Sequence, residues 1–215
     1  MHQKQVWDSL AESWSHHRNK PLREVIEFLE KESLNAFGAS KQSNIILDIG
    51  CGAGRNFVQG KDYIAVDISA NMIMHAEKTA QRKKINMSGL VADAIALPFI
   101  ENSFDTIVCL AVLHCIEKDR QRALDEMHRI MKKGGRALVM VWNKRQPKFW
   151  FFKQQIYEPW KTGDNTYLRY YHLFTKNELK SLLENAGFKI ISIKGSSNKA
   201  FKLFSKNIVA VIEKS

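Results

Sequence analysis

The stretch at residues 44–56, NIILDIGCGAGRN, decides the fold. A β-branched apolar run stops at Asp48 and breaks into three glycines, Gly50, Gly52 and Gly54, over five positions. The run reads as a buried strand, and the glycines let the backbone turn tightly and approach a ligand without a Cβ in the way. Their spacing is G-x-G-x-G, whereas a dinucleotide pyrophosphate on a helix N-terminus calls for G-x-G-x-x-G. Two readings stand at this point: a cradle for a ligand other than a dinucleotide, or a plain strand-to-helix turn with Asp48 and Asp67 as helix caps.

Outward from that loop, apolar β-branched runs alternate with amphipathic segments, the pattern of a parallel sheet with helices on both faces. Candidate strands lie at 44–48, 63–67, 87–92, 104–110, 136–142, 189–194 and 207–212. Helices are expected at 71–82, 120–131 and 176–186, and two more, at 5–13 and 21–37, precede the first strand. Pro21 would occupy the first turn of the second helix, where its missing N–H costs nothing. The pattern predicts an α/β fold: a Rossmann-like, doubly wound, seven-stranded, mostly parallel sheet. At 215 residues the chain suits one domain, 1–215, with 1–43 as N-terminal helices. Residues 143–174 depart from the alternation, being dense in aromatics and lysine and broken by Pro147 and Pro159. Such a length between a strand and a helix is more often functional than linker, so it is expected to form a substrate-side cap over the carboxyl edge of the sheet.

No run of eighteen apolar residues occurs, and the start of the chain, MHQKQVWDSL, lacks the apolar core of a secretory signal; the expectation is a soluble, cytoplasmic protein with no membrane association. Cys51, Cys109 and Cys115 show neither CxxC nor CxxH spacing, which suggests no disulfide framework and no metal site. The formal net charge of +11 favours polyanionic partners, nucleic acid first.

Asp67 ends the second strand, where a carboxylate can accept from both hydroxyls of a ribose, and Asp93 follows the third. With Asp48 they make three acids at consecutive strand ends, converging on one crevice. A ligand carrying an amine and an adenosine but no phosphate suits them better than a dinucleotide does.

The segments LDIGCGAGRN (47–56), AVDIS (65–69), VADAIALPFIENSFDTIVCLAVLH (91–114) and KKGGRALVMVW (132–142) resemble the successive motifs of class I S-adenosylmethionine-dependent methyltransferases. The likeness covers about 44–142 and LLENAGFKIISI (182–193). It implies S-adenosyl-L-methionine as cofactor: the glycine loop would receive its methionine part, Asp67 its ribose, Asp93 and Ala94 its adenine. The full implied cofactor set is Asp48, Gly50, Gly52, Gly54, Asp67, Ile68, Asp93, Ala94 and Leu110.

VWDSLAESWSHHRNKPL (6–22) and YLRYYHLFTKNELKSLLENAGF (167–188) are similar to a narrower group, the tRNA methyltransferases that esterify a carboxymethyluridine at the wobble position. The elements matched are Arg18, Lys20 and Pro21; Ala111, Val112, Leu113 and His114; and Arg169, Tyr170, Tyr171 and His172. Leu22 and Cys115 depart from the group, which commonly has an aromatic and a second histidine there.

That acceptor, a carboxylate, is ionised at neutral pH, so attack on a sulfonium methyl needs orientation and exclusion of water rather than a general base. Arg18 and Arg169 would grip the carboxylate or an RNA phosphate, and His114 would hydrogen-bond the acceptor; these three are the expected catalytic residues. Lys20, Trp142, Tyr170, Tyr171 and His172 are the expected acceptor contacts, with Trp142 or one tyrosine stacking on a base. Adjacent residues of an extended strand face opposite sides, so at most one of Tyr170 and Tyr171 should meet the ligand. The plainer alternatives are solvated charges for Arg18 and Lys20 and, for His114, a cap on the following helix or a polar core site. Lys144, Arg145, Lys148, Lys153 and Lys161 interleave with Phe149, Trp150, Phe151, Phe152, Tyr157 and Trp160, which suits an RNA-facing surface, though part of FWFF should pack on the sheet.

The resemblance also implies tRNA as partner and a small zinc-binding activator protein, which would complete a sheet edge at the third strand and cover an apolar patch there. Two other readings remain: a methyltransferase for a small quinone-like acceptor, and a cofactor-binding subunit of an RNA-modifying complex.

Overall fold

The run that stops at Asp48 becomes the central strand β1 (Ile45–Ile49) of a computed structural model that describes residues 3–17, 20–35, 45–196 and 205–215. The other strands are β2 (Asp62–Asp67), β3 (Met87–Val91), β4 (Phe104–Leu110), β5 (Met131–Trp142), β6 (Gln155–Thr162), β7 (Asn165–His172), β8 (Phe188–Gly195) and β9 (Asn207–Lys214). The helices are α1 (Gln3–His17), α2 (Arg23–Asn35), α3 (Ala70–Lys83), α4 (Arg120–Ile130) and α5 (Lys176–Asn185). Seven strands form one sheet in the order β3-β2-β1-β4-β5-β9-β8, in which β9 runs antiparallel to both of its neighbours. The expected Rossmann-like, doubly wound architecture is what forms. Strand order reverses between β1 and β4, so the carboxyl ends of those strands open a crevice, the usual ligand position in such sheets.

The sheet is apolar on both faces because alternate residues of its central strands enter two separate cores. Leu47, Ile49, Ile107 and Val139 pack with Leu124 and Met127 of α4 and Leu179 and Leu183 of α5. Ile46, Val108, Leu138 and Met140 pack with Phe28 and Leu29 of α2 and Ile73 and Ala76 of α3 on the other side. Burying each such side chain contributes roughly 1.5–3 kcal/mol, so the double layer supplies the bulk of the stabilisation. Local chemistry sets the helix ends: Ser69 caps α3 by accepting from the Met72 amide, and Thr175 and Glu178 form a reciprocal capping box on α5.

Helix α1 runs longer than the expected 5–13, and three further elements differ from the sequence expectation. Strand β5 begins at Met131 rather than 136, because Met131 pairs with Phe104 ahead of a register shift at the KKGG segment, where Gly134 has φ +75°. Helix α2 starts at Arg23, so Pro21 precedes it; residues 36–37 of the expected helix lie outside the described residues. The 143–174 segment contains a β-hairpin, β6–β7, which pairs in continuous register from Gln155↔His172 to Thr162↔Asn165. Pro159 hid it, yet a two-stranded ribbon is all edge and tolerates a missing N–H. Among the described residues no helix is long and apolar enough to cross a membrane.

Candidate cofactor and acceptor site

After β1 the chain turns through three left-handed glycines, Gly50, Gly52 and Gly54, at φ +68°, +53° and +74°. Their amides fasten the loop to the end of β2: Gly50 and Cys51 donate to the Val66 carbonyl at 2.7 and 3.0 Å, and Gly52 donates to Asp67 Oδ2 at 2.9 Å. Asp67 Oδ1 accepts from the Ser69 amide at 3.0 Å. One carboxylate thus ties the glycine loop to the first turn of α3. Burial pushes Asp67 up to about 6 despite those amides, with Asp8 adding to the rise. Behind it Asp48, 1% exposed, is raised to about 8 by burial and by Asp67, and its Oδ2 has no hydrogen-bond partner. This acidic floor suits a ligand with positive charge and hydroxyl donors, and disfavours phosphate.

A cavity of about 1080 Å³ lies over the loop, at the carboxyl ends of β1, β2 and β4. Gly50, Gly52, Asp67, Ile68, Asp93, Ala94 and Leu110 of the expected cofactor set line it. Asp48 and Gly54 stand one layer behind. A Cβ on Gly54 would come within 2.5 Å of the Phe57 ring and 3.3 Å of the Ala76 backbone, so that glycine serves close packing of the loop on α3 rather than ligand contact. Ala111 follows β4 in the left-handed region at φ +63° and also lines the cavity. That is a non-glycine outlier at the strand-order switch, where backbone strain of about 1–2 kcal/mol is characteristically found.

Helix α1 closes the crevice from above. Asp8 accepts from Ser69 Oγ at 2.6 Å, and its carbonyl accepts from Asn71 Nδ2 at 3.0 Å. Val6, Trp7 and Trp14 line the cavity, and a Cβ on Gly52 would lie 3.8 Å from the Trp14 indole nitrogen. Sequence reasoning assigned none of them. Their signal was the seven-residue spacing of Trp7 and Trp14, which puts the rings edge to face at 5.4 Å. The cavity's charged lining is mixed, with Asp67, Asp93, Glu117 and Asp119 against Lys4, Arg55 and Lys118. Cys51 also lines it, but burial and the two aspartates hold its thiol protonated, well above the ordinary value. No cluster of three or more metal-ligating side chains occurs among the described residues.

The expected acceptor residues are brought together, but behind the cavity wall rather than on it. Arg169 is 5% exposed: its Nη1 donates to the Tyr171 hydroxyl at 2.8 Å, and its guanidinium lies 4.8, 5.2 and 5.5 Å from the rings of Trp160, Tyr171 and Trp14. Tyr170 and Tyr171 do face opposite sides of β7, yet both are buried, because the hairpin is covered on each face. Trp142 is half-buried among rings, with Tyr171 stacked at 4.3 Å and Phe149 at 5.9 Å, and it does not line the cavity. His114, also buried, accepts the Trp142 amide at Nδ1 (3.0 Å), which makes it a polar core histidine carrying its proton on Nε2 when neutral. His172 bonds Glu178 at 2.6 Å and pins the hairpin to α5. Burial works to raise Glu178, but His172, the Thr175 amide and Arg120 together hold it below the ordinary carboxylate value. Lys20 is exposed and its carbonyl accepts from Arg55 Nε at 2.8 Å; Leu22, two residues on, lines the cavity instead. Arg18 lies outside the described residues.

A doubly wound sheet with a glycine loop, an acid at the end of the next strand and a lid helix over the switch point defines the class I methyltransferase architecture. Residues 47–139 match the family model for a methyltransferase domain. The structure of the CcbJ methyltransferase from Streptomyces caelestis superposes with a TM-score of 0.75 at 14% identity, covering all of both chains. A methyltransferase from Burkholderia thailandensis with bound 1,6-didemethyltoxoflavin and S-adenosylhomocysteine gives 0.62 at 21%, covering 90% of this chain and 77% of that one. In sequence, the tRNA (carboxymethyluridine(34)-5-O)-methyltransferase of Schizosaccharomyces pombe is 31% identical over 217 residues, 87% of this chain and 88% of that protein. The chain belongs to the S-adenosylmethionine-dependent methyltransferases, in the family that includes that tRNA-modifying enzyme. S-adenosyl-L-methionine is its cofactor, and the acids at the strand ends, Asp67 and Asp93, fit its ribose and amine donors.

Proposed function

We propose that this chain transfers the methyl group of S-adenosylmethionine to the carboxylate of a carboxymethyl-type modified uridine at the wobble position of tRNA. The observation that carries the reading is the reach of the similarity to the S. pombe enzyme, which spans 87% of the chain and so extends well beyond the cofactor motifs at 47–139. When bound, the cofactor supplies an electrophilic methyl on a sulfonium. The chain's own part is to hold, orient and dry the reactants. Among the described residues no histidine lines the cavity, and an ionised carboxylate acceptor needs no general base.

The surface supports an RNA acceptor. Trp150, Phe151 and Phe152 are exposed, Phe151 to 98%, beside the exposed cations Arg145 and Lys153 and beside Lys148, which pairs with Glu158 at 2.8 Å. Aromatics offered with cations suit the stacking and backbone attraction of single-stranded RNA, and the +11 charge adds long-range steering. A small zinc-binding activator on the β3 edge belongs to the same proposal: Ser88 and Gly89 are exposed there, and Val91 shows 46% of its surface. A reducing cytoplasm is the setting in which the buried free thiols of Cys51 and Cys109 would persist.

The test is transfer of labelled methyl from S-adenosylmethionine to tRNA bearing the carboxymethyl group, with and without a candidate activator, followed by mild alkali. Label released as methanol is expected. Alkali-stable label would keep an RNA methyltransferase and discard the ester, and label on small molecules alone would move the acceptor out of RNA.

A further inference from the structure

The cavity is longer than its cofactor end. Gly52, Asp67 and Asp93 lie at one end, while Tyr157 of β6 and Asn165–Leu168 of β7 contribute to the same lining. The hairpin end is open: Tyr157 keeps 55% of its surface and Leu168 53%, two large apolar side chains beside the exposed polar Asn165 and Thr166. Cross-strand register explains why they act together. Tyr157↔Tyr170 and Pro159↔Leu168 are neighbouring pairs on one face of the ribbon, so Tyr157, Pro159 and Leu168 form a continuous surface. The edge of Tyr157 is braced by Tyr170, whose ring lies 5.7 Å away at 70° and is itself buried.

The platform is fixed in place before any ligand arrives. The Gln3 side chain of α1 accepts from the Tyr170 amide at 3.0 Å and donates to the Leu168 carbonyl at 3.3 Å, clamping β7 at two points. Trp160 Nε1 donates to Ser13 Oγ at 2.9 Å, tying β6 to the same helix. The helix that covers the cofactor loop therefore also sets the position of the tyrosine.

From this geometry we infer that Tyr157, with Leu168 and Pro159, is the stacking platform for the acceptor's planar ring, a nucleobase held at the mouth of the cavity. The inference rests on the RNA reading above and names the subsite that would hold the modified base. It takes the stacking role away from Tyr170 and Tyr171, which are buried, and from Trp142, which like them does not line the cavity. Tyr157 is the large aromatic that combines exposure with a place on the cavity wall at the hairpin end. A ring there would stack on the platform without demanding a particular hydrogen-bonding edge, leaving its substituent free to reach toward the cofactor.

The experiment uses the full chain loaded with S-adenosylhomocysteine. Calorimetry would measure binding of two probes, an anticodon stem-loop carrying 5-carboxymethyluridine and the free 5-carboxymethyluridine nucleoside, to wild type, Tyr157→Ala and Tyr157→Phe. Loss of roughly tenfold or more in affinity for both probes is expected in Tyr157→Ala, with Tyr157→Phe near wild type and S-adenosylhomocysteine affinity unchanged in all three. The unchanged cofactor affinity guards against misfolding. Probe affinity unaffected in Tyr157→Ala would overturn the platform, as would equal losses in the Phe and Ala variants. If wild type methylates no tRNA yet binds the nucleoside in a Tyr157-dependent way, the platform stands and the tRNA reading falls. If wild type binds neither probe, the platform falls with it.

Discussion

The cofactor half and the acceptor half of the crevice are built on different principles. The cofactor half is made of strand ends and the loops directly after them: Gly52 reaches Asp67 through one hydrogen bond, and both are held by adjacent parallel strands. The acceptor half is a wall assembled from far apart in the chain. Ser13 of α1 and Thr162 of β6, 149 positions apart, touch at 3.1 Å, and the Arg169 guanidinium is enclosed by aromatics from α1, β6 and β7. The first half relies on backbone amides and carboxylates with little freedom to vary. The second relies on packed rings, where one side chain's position depends on every other.

That contrast sets out where substitutions should act. The largest effect is expected at Asp67, whose carboxylate both organises the loop and faces the cavity. Asp67→Ala should weaken S-adenosylmethionine binding by on the order of a hundredfold, because two charge-assisted hydrogen bonds and the ribose partner go together. Calorimetry measures this, and wild-type affinity in the variant would remove Asp67 from the cofactor half.

Arg169 sharpens the boundary. Caged behind Trp14 and Trp160, it acts as a positioning residue for the acceptor wall. Arg169→Ala should cut methyl transfer to tRNA by roughly tenfold or more, on the scale of removing a buried charged hydrogen-bond partner, while cofactor affinity stays within about threefold. Equal transfer rates in mutant and wild type would take Arg169 out of the acceptor half; matched losses in cofactor binding and transfer would mean that the two halves are one unit.

The last effect concerns pH. Asp48 sits at about 8 in the fold against an ordinary 3.8, so between roughly pH 4 and pH 8 the folded protein holds a proton that the unfolded chain has released. Stability of the ligand-free protein should therefore fall as pH rises through that window, with Asp67, at about 6, steepening its lower part. Asp48→Asn, neutral throughout, should flatten the profile of Tm against pH between 5 and 8. Parallel profiles for mutant and wild type would mean that Asp48 is ionised across the range.

The alternation of apolar runs, the glycines after β1 and the acids at the ends of β2 and β3 were legible in the sequence because each is a local pattern. A strand period, a turn that needs positive φ and a carboxylate after a strand are all written within a few residues. Asp48 and Gly54 carry the right motif letters yet stand behind the cavity, since a motif gives chain position and not depth. The hairpin was missed because Pro159 and the aromatic density of its flanks obscured its alternation, and its stability comes from what it packs on.

By itself, then, the sequence determined the doubly wound sheet, the crevice at its switch point and the chemistry of the cofactor end, because hydrophobic periodicity and backbone stereochemistry act over short range. Only the tertiary structure decided that α1 roofs the crevice, that Arg169, Tyr170 and Tyr171 turn inward and that Tyr157 remains open to the cavity. Which of several aromatic and cationic side chains meets the ligand depends on how distant elements close over one another, and no local pattern encodes that competition for burial.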